Sequence, residues 1–178
     1  MAIKIISSSS VNLSREDKHH IFEIMRIAYA TTEIEIWGED YVRISEAEYF
    51  SLIDDGKITV AYFEGVIAGC NQVYEREDGS FGFGLLATHQ EFRKRGIGRA
   101  LIENAENRAR TSGAKYMEIE ILRPRDIEVP GKLILQKWYE SMGYEYVYSE
   151  NFANRKPIKA KRLIRPSDFD CYRKTLWT

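Results

Sequence analysis

The stretch Glu91-Phe-Arg-Lys-Arg-Gly-Ile-Gly-Arg99 decides the fold of this chain, because it joins two segments of different periodicity. Before it stands the apolar run Phe81-Gly-Phe-Gly-Leu-Leu-Ala87, which predicts a buried strand. After it, the residues from Arg99 to Arg110 place their apolar side chains on one helical face and their charges outside it. The sequence therefore predicts a strand, a short basic loop and an amphipathic helix, in that order.

The basic loop has the properties of an anion site. A helix N-terminus leaves backbone N–H groups unpaired and carries a partial positive charge. Glycines at 96 and 98 remove the Cβ atoms that would keep a large anion from those groups. Full positive charges suited to phosphate oxygens surround them, on Arg93, Lys94, Arg95 and Arg99. This pattern predicts a pyrophosphate-binding loop.

Two simpler interpretations of the loop stay open from these residues alone. Gly-x-Gly before a helix also forms plain tight turns, and arginines are common on solvated surfaces. Two nucleotide-binding motifs are excluded. The dinucleotide fingerprint needs a third glycine that is missing here, and a P-loop needs a Gly-Lys-Ser/Thr sequence that is absent.

Length and composition predict one domain, residues 1–178. An apolar content of 44% with 30% charged residues is typical of a globular protein. A net charge of −1 gives no reason to expect nucleic acid or an anionic membrane as partner. No apolar run reaches membrane-spanning length and the N-terminus lacks the apolar core of a signal peptide, so we expect a cytoplasmic protein.

Periodicity and turn residues outline the rest of the chain. Alternation predicts strands at 3–6, 58–63, 66–74, 81–88, 116–122, 144–148 and 169–176. Helical spacing and caps predict helices that begin after Ser14 and Ser45, further helices over 99–110 and 132–142, and a short helical turn near 159–164; residues 31–43 are expected to be irregular. A strand–helix–strand unit requires strands 81–88 and 116–122 to be parallel. The expected fold class is α+β, a mixed sheet with helices on both faces.

Two motifs now connect this chain to a known family. Arg93-x-x-Gly96-x-Gly98 resembles the Arg-x-x-Gly-x-Gly signature of the GNAT N-acetyltransferases, in which it holds the pyrophosphate of acetyl-CoA. Trp138-Tyr-Glu-Ser-Met-Gly-Tyr144 resembles the family's Leu-Tyr-x-x-x-Gly-Phe. The order of elements is similar over nearly the whole chain. The resemblance implies an α/β/α sandwich with a mostly antiparallel sheet, whose one parallel pair splays apart at the cofactor site.

The resemblance also implies acetyl-CoA as co-substrate and assigns residues to it. Strand residues at the end of 81–88 pair with the pantetheine arm, and loop residues supply N–H groups and charge to the pyrophosphate. The residues so assigned are Leu86, Ala87, Thr88, Arg93, Lys94, Arg95, Gly96, Ile97, Gly98 and Arg99. Tyr139 is implied as the general acid beside the thioester sulfur.

The chemistry of acetyl transfer explains these residue types. An amine attacks the thioester carbonyl, and the oxyanion that forms needs a fixed N–H donor. The leaving thiolate gains from a proton donor such as the phenol of Tyr139, and the attacking amine gains from a base. Glu120 is the preferred base, with Glu118 and His89 as further candidates. Each candidate also has a purely structural interpretation. Tyr139 can be a half-buried helix residue, the two glutamates can be solvated sheet residues, and His89 can be a loop residue.

Some features depart from the family pattern or need no function. Lys132 stands where many relatives carry an asparagine that contacts the cofactor, and strand 81–88 lacks the glutamate base of some relatives. The basic stretch from Arg155 to Arg165 is interpreted as a solvated surface rather than a nucleic-acid or anionic-substrate patch. No metal site is expected, since His19 and His20 are adjacent and face different ways. Cys70 and Cys171 are expected to be buried free thiols.

Three functions follow as hypotheses. The first is an acetyl-CoA-dependent N-acetyltransferase acting on a primary amine of a small molecule, a peptide or a protein N-terminus, without nucleic acid or membrane partners; a homodimer is left open. The second is a non-catalytic acyl-CoA-binding or sensor module of the same fold. The third is a structural domain without a ligand.

Overall fold

The fold is built on one mixed sheet. The computed structural model describes residues 2–177 of the chain. The strands are β1 (Ile3–Ser7), β2 (Ile58–Phe63), β3 (Val66–Glu75), β4 (Phe81–Thr88), β5 (Tyr116–Pro124), β6 (Glu145–Asn151) and β7 (Ser167–Thr175). The helices are α1 (Arg15–Thr32), α2 (Ile34–Trp37), α3 (Glu46–Asp54), α4 (Ile97–Thr111), α5 (Pro130–Ser141), α6 (Phe152–Arg155) and α7 (Pro157–Ala160). A single 3₁₀ turn, Gln90–Phe92, follows β4.

The strand order in the sheet is β1-β2-β3-β4-β5-β7-β6. Every neighbouring pair is antiparallel except β4 and β5, which are parallel as the sequence predicted. That pair is also the shortest: only Phe81 with Met117 and Gly82 with Glu118 stand opposite each other. On its other side β5 pairs with β7 along its whole length. Beyond Gly82, therefore, β4 and β5 diverge and leave an opening in the sheet.

Helices cover both faces of the sheet, which confirms the predicted α/β/α sandwich. Helices α1 and α3 pack on one face, where their buried side chains meet those of β2, β3 and β4. Helices α4 and α5 pack on the other face against β3, β4, β5 and β7. The helices of the two layers pack in separate hydrophobic clusters. Helix α1 contacts β4 on one face and α5 contacts β5 on the other, so these two helices flank the opening.

Local chemistry explains most boundaries. The Ser14 hydroxyl accepts a hydrogen bond from the Asp17 amide at 3.0 Å, and the Asp17 carboxylate accepts one from the Ser14 amide at 3.1 Å, a full capping box. Glu64 and Gly65 have φ of 49° and 81°, as a two-residue turn between β2 and β3 requires.

Three segments differ from the sequence prediction. A short helix, α2, forms inside the stretch 31–43 that was expected to be irregular. The predicted helical turn near 159–164 is present but begins earlier. Helices α6 and α7 lie at 152–160, capped by Asn151 and opened by Pro157, and turn hydrogen bonds continue α7 to Leu163. Helix α5 begins at Pro130 rather than near 132, since proline is favoured in the first turn.

Candidate active site

The opening between β4 and β5 coincides with a bulge in β4. Cys70 of β3 stands opposite Ala87, whereas Gln72 stands opposite Gly84, so β4 carries one extra residue between them. Leu85 lies there with φ +51°, a left-handed conformation that non-glycine residues seldom adopt. Such bulges re-aim the backbone and are common beside functional sites. The bulge turns the end of β4, with the predicted site residues Leu86–Thr88, away from β5.

The basic loop sits at the mouth of this opening. Gly96 is the N-cap of α4 and no side chain caps the helix, so among the described residues the first amides of α4 have no side-chain partner. The side chains of Arg93, Lys94, Arg95 and Arg99 are exposed, and none of them forms an ion pair within residues 2–177. Uncapped amides and uncommitted positive charge are thus available together at one helix end.

The two glycines of the loop have different structural reasons. Gly96 has φ +81°, and a Cβ there would meet no atom within 4 Å, so its backbone conformation alone calls for glycine. At Gly98 a Cβ would stand 3.1 Å from the Trp138 ring. Close packing of α4 on α5 therefore also requires Gly98, a reason that the sequence argument, based on room for an anion, missed.

Tyr139 projects from α5 into the aromatic cluster beside the opening. Its ring centroid lies 6.0 Å from that of Phe83 in β4 and 5.9 Å from that of Tyr144. The residue is 6% exposed. Its hydroxyl forms no hydrogen bond with the described residues, yet it is not among their sealed, unpaired polar atoms. The hydroxyl is therefore buried but not completely enclosed by the described residues.

The same surroundings keep Tyr139 protonated. Burial raises the pKa of Tyr139 far above the usual tyrosine value, and the neighbouring Tyr29 adds to the effect because two phenolates would repel. Tyr29, on α1, has its own pKa raised to about 12 by burial. Two neutral phenols, one from each face of the sheet, thus approach the opening.

The two candidate carboxylates of β5 occupy different places. Glu118 is opposite Gly82, at the closed end of the pair, and accepts hydrogen bonds from Arg173 at 2.5 and 3.1 Å. Glu120 lies two residues further along β5, where β5 no longer pairs with β4. Arg155 and Arg76 form ion pairs with it there. Of the two, only Glu120 lines a cavity of the opening.

His89 lies on the other side of β4, next to α1. Its Nδ1 accepts a hydrogen bond from the Glu91 amide at 3.2 Å and thereby caps the 3₁₀ turn. With Arg93 and residues of α1 it lines a cavity of about 300 Å³ beside the basic loop. His89 thus has a structural role in the loop and also lines a cavity that a ligand can enter.

A buried ion cluster joins the two flanks of the opening. Glu33, at the end of α1, is 2% exposed. Its carboxylate accepts hydrogen bonds from Arg43 at 2.5 Å, from Lys132 of α5 at 2.7 Å and from the Trp37 indole at 3.1 Å. Burial alone would raise the pKa of Glu33, but the two cations hold it at about 2. Lys132 therefore bridges α5 to α1, a role that the sequence did not indicate.

On the α1 face a cavity of about 160 Å³ opens beside the bulge of β4. Its walls include Gly84, Leu85 and Glu120, and the segment 152–166 closes one side with Lys156 and Lys159. That segment is attached to the α2 region by the Ile164 amide, which donates to the Ile36 carbonyl at 2.9 Å. Residues 155–165 were interpreted as a solvated surface; Lys156 is exposed and Lys159 half-buried, and both also line this cavity.

Several wider features complete the description. Cys70 and Cys171 are buried free thiols. Across residues 2–177 there is no group of three or more His, Cys, Asp or Glu side chains placed to hold a metal ion. No helix in the same range is both long and apolar enough to cross a membrane.

Comparison with known proteins identifies the family. The family model described as an acetyltransferase (GNAT) domain matches residues 54–146. This chain belongs to the GNAT acetyltransferase family. The matched residues contain β2 to β5, the basic loop, α4 and α5, which is the part of the chain that builds the opening in the sheet.

Solved structures share the fold at low sequence identity. An aminoglycoside 6′-N-acetyltransferase complexed with coenzyme A superposes with a TM-score of 0.71 at 14% identity, over 100% of this chain and 98% of the other. A GNAT-family acetyltransferase from Staphylococcus aureus gives 0.66 at 14% identity, over 99% and 100%. N-acetylglutamate synthase from Neisseria gonorrhoeae, complexed with coenzyme A and N-acetyl-glutamate, gives 0.68 at 15% identity; this chain is covered completely but spans 36% of that protein. A search of curated protein sequences found no match.

Proposed function

We propose that this protein is an acetyl-CoA-dependent N-acetyltransferase that acetylates a primary amine of a small molecule. The observation that carries the proposal is the opening between β4 and β5, with the hydroxyl of Tyr139 unpaired among the described residues and an uncapped basic helix end at β4's exit. Membership of the GNAT family supports the same reaction.

Acetyl-CoA would be held by backbone and charge. Its pyrophosphate would accept hydrogen bonds from the first amides of α4, with Arg93, Lys94, Arg95 and Arg99 supplying positive charge. The pantetheine arm would lie along the β4 edge at Leu86–Thr88, which β5 leaves unpaired, and would add to the sheet much as a peptide strand does. The acetyl group would then point into the opening.

The transfer is a direct attack. The amine nitrogen forms a bond to the thioester carbonyl carbon, and the carbonyl oxygen becomes an oxyanion stabilised by a β4 amide. As the C–S bond breaks, Tyr139 donates its proton to the leaving thiolate and is reprotonated from solvent. Glu120 would take the proton of the attacking amine through a water molecule on its Oε2, because both guanidinium groups engage Oε1.

The proposal has a direct test in two measurements. Saturating acetyl-CoA should raise the melting temperature, and thiol release should appear when amines are added. A protein that shows neither a thermal shift nor a calorimetric signal with acetyl-CoA lacks the cofactor site proposed here. The control ligand is 3′-dephospho-CoA, which keeps the pyrophosphate and should still bind.

A second candidate function is an acyl-CoA-binding module without transfer. The observation that favours it is that Arg155 and Arg76 both pair with the Glu120 Oε1, which commits this carboxylate to two cations. Acetyl-CoA would then bind with no thiol release from any amine. Release of free CoA above the rate of spontaneous hydrolysis, dependent on an added amine, rules this candidate out.

A further inference from the structure

The cavity on the α1 face carries both signs of charge. Glu120 contributes a carboxylate to it, and Lys156 and Lys159 contribute ammonium groups. Its volume of about 160 Å³ is close to the roughly 150 Å³ of an engineered cavity that binds benzene. A small molecule that carries an anionic group would find complementary charge there.

Neither lysine has a charged partner among the described residues. Lys159 donates a hydrogen bond to the backbone carbonyl of Arg43 at 3.3 Å, and neither lysine forms an ion pair within residues 2–177. The nearest carboxylate of the cavity, Glu120, is already bonded to Arg155 and Arg76. The protein itself thus leaves two positive charges uncompensated at this cavity.

These charges are also close enough to affect one another. The pKa of Lys156 is lowered, first by burial and then by the positive charges of Lys159 and Arg43. Like charges held together repel, and a bound anion would remove that repulsion. The segment 152–166 that carries both lysines is attached to the α2 region, so their place beside the cavity is built into the fold.

We infer that the acceptor is a small amine that also carries an anionic group, with its amine toward Glu120 and its anion toward Lys156 and Lys159. A free amino acid has this chemistry, and so has a phosphorylated amino alcohol. The inference rests on the proposed acetyl transfer and adds the class of acceptor to it.

Matched pairs of amines test the charge preference. Glycine is compared with glycinamide for the carboxylate, and phosphoethanolamine with ethanolamine for the phosphate; glutamate and glutamine extend the first pair to a larger amine. For at least one chemistry, kcat/KM for CoA release should be about tenfold higher for the anionic member, which corresponds to about 1.4 kcal/mol. The pair that shows the larger ratio tells carboxylate from phosphate.

Single substitutions then assign the preference to this cavity. Lys156→Gln and Lys159→Gln should each reduce the ratio of kcat/KM between the anionic and neutral members several-fold. Lys161→Gln is the matched control, because Lys161 is an exposed lysine of the same segment that does not line the cavity. It removes the same net charge and should leave the ratio unchanged. An equal drop in all three variants would show a general charge effect and overturn the assignment.

Calorimetry of the same pairs in the presence of CoA separates the two proposals. Tighter binding of the anionic members, weakened by Lys159→Gln, supports the charge preference even if no thiol is released, and in that case the proposed transfer fails alone. Neutral or cationic amines that bind or react as well as their anionic partners overturn the acceptor inference while leaving acetyl transfer intact.

Discussion

The Lys132 ammonium donates a 2.7 Å hydrogen bond to the Glu33 carboxylate, although the two residues are 99 positions apart in the chain. Lys132 lies in the first turn of α5, which carries Tyr139, and Glu33 is the C-cap of α1 on the opposite face of the sheet. Arg43 completes the cluster from the α2–α3 connection. Buried charge therefore joins α1 and α5, the helices on the two faces of the sheet.

Removing this charge should destabilise the fold. In Glu33→Gln, Arg43 and Lys132 lose a buried anionic partner, and we expect the free energy of unfolding to fall by about 3 kcal/mol in urea denaturation. Asp54→Asn is the control, because Asp54 pairs with Lys18 at the surface with 59% of its side chain exposed. It should cost less than about 0.5 kcal/mol. Similar losses in both variants would contradict a special role for the cluster.

The same cluster predicts how stability depends on pH. The pKa of Glu33 is about 2 in the folded protein and about 4.3 in an unfolded chain, so its stabilisation is complete above the unfolded value and is lost as pH falls toward the folded one. The stability lost on acidification below about pH 4.5 should therefore be smaller in Glu33→Gln than in the wild type. Parallel curves for the two proteins from pH 6 to 3 would refute this.

Tyr139→Phe tests the proton donor. The phenyl ring preserves the packing on Phe83 and Tyr144, so affinity for acetyl-CoA should be unchanged while kcat falls about 100-fold, the lower range for loss of an acid catalyst. Tyr144→Phe is the comparison, because the Tyr144 hydroxyl donates to Glu106 at 2.7 Å inside the core. It should lower stability by about 1 kcal/mol and leave kcat near the wild-type value. An unchanged kcat in Tyr139→Phe would remove the acid role.

The pH dependence of turnover gives an independent check on Tyr139. Burial raises its pKa, so the donor form persists throughout the working range. The kcat profile should show no descending limb below about pH 10 that Tyr139→Phe abolishes. A limb near neutral pH that disappears in this variant would mean that Tyr139 titrates there, against the effect of its surroundings.

Gly84 offers a test of the acceptor cavity that spares the fold. A Cβ at this position would meet no protein atom within 4 Å, and the residue lines the cavity beside Glu120. Gly84→Ala should leave the melting temperature unchanged or slightly higher, yet raise KM for the amine about tenfold, or ~1.4 kcal/mol of lost binding. Gly131→Ala is the control, since its Cβ would also meet nothing within 4 Å and Gly131 does not line this cavity. Equal KM values for the two variants would place the acceptor elsewhere.

Local patterns carried the sequence prediction of the fold. Alternation, capping serines and the Glu64-Gly65 turn act over a few residues, so they place strands and helices from the sequence alone. The parallel arrangement of β4 and β5 followed from their connection through α4, because a strand–helix–strand unit has few other solutions. The basic loop was found because glycines and arginines at a helix start have a direct physical meaning.

The missed features depend on contacts between distant segments. No local pattern marks Leu85 for a left-handed bulge, because the surrounding tertiary structure imposes it on an ordinary residue. The partners Glu33 and Lys132 cannot be matched from sequence. The one signal was that Lys132 replaces an asparagine of many relatives, which indicates a different partner for this side chain. Lys156 and Lys159 resemble solvated surface charges until the segment that carries them is seen against the cavity.

Because Phe81 and Gly82 make the only pairs between β4 and β5, the sheet consists of two hydrogen-bonded halves, β1–β4 and β5–β7. Amide hydrogens on the facing edges beyond those residues have no partner strand to shield them and should exchange quickly with deuterated water. A pantetheine arm bound between the two halves of the sheet would slow that exchange along residues 83–88. Isotope uptake in this one strand thus measures occupancy by the thioester directly, whether or not any amine is present to be acetylated.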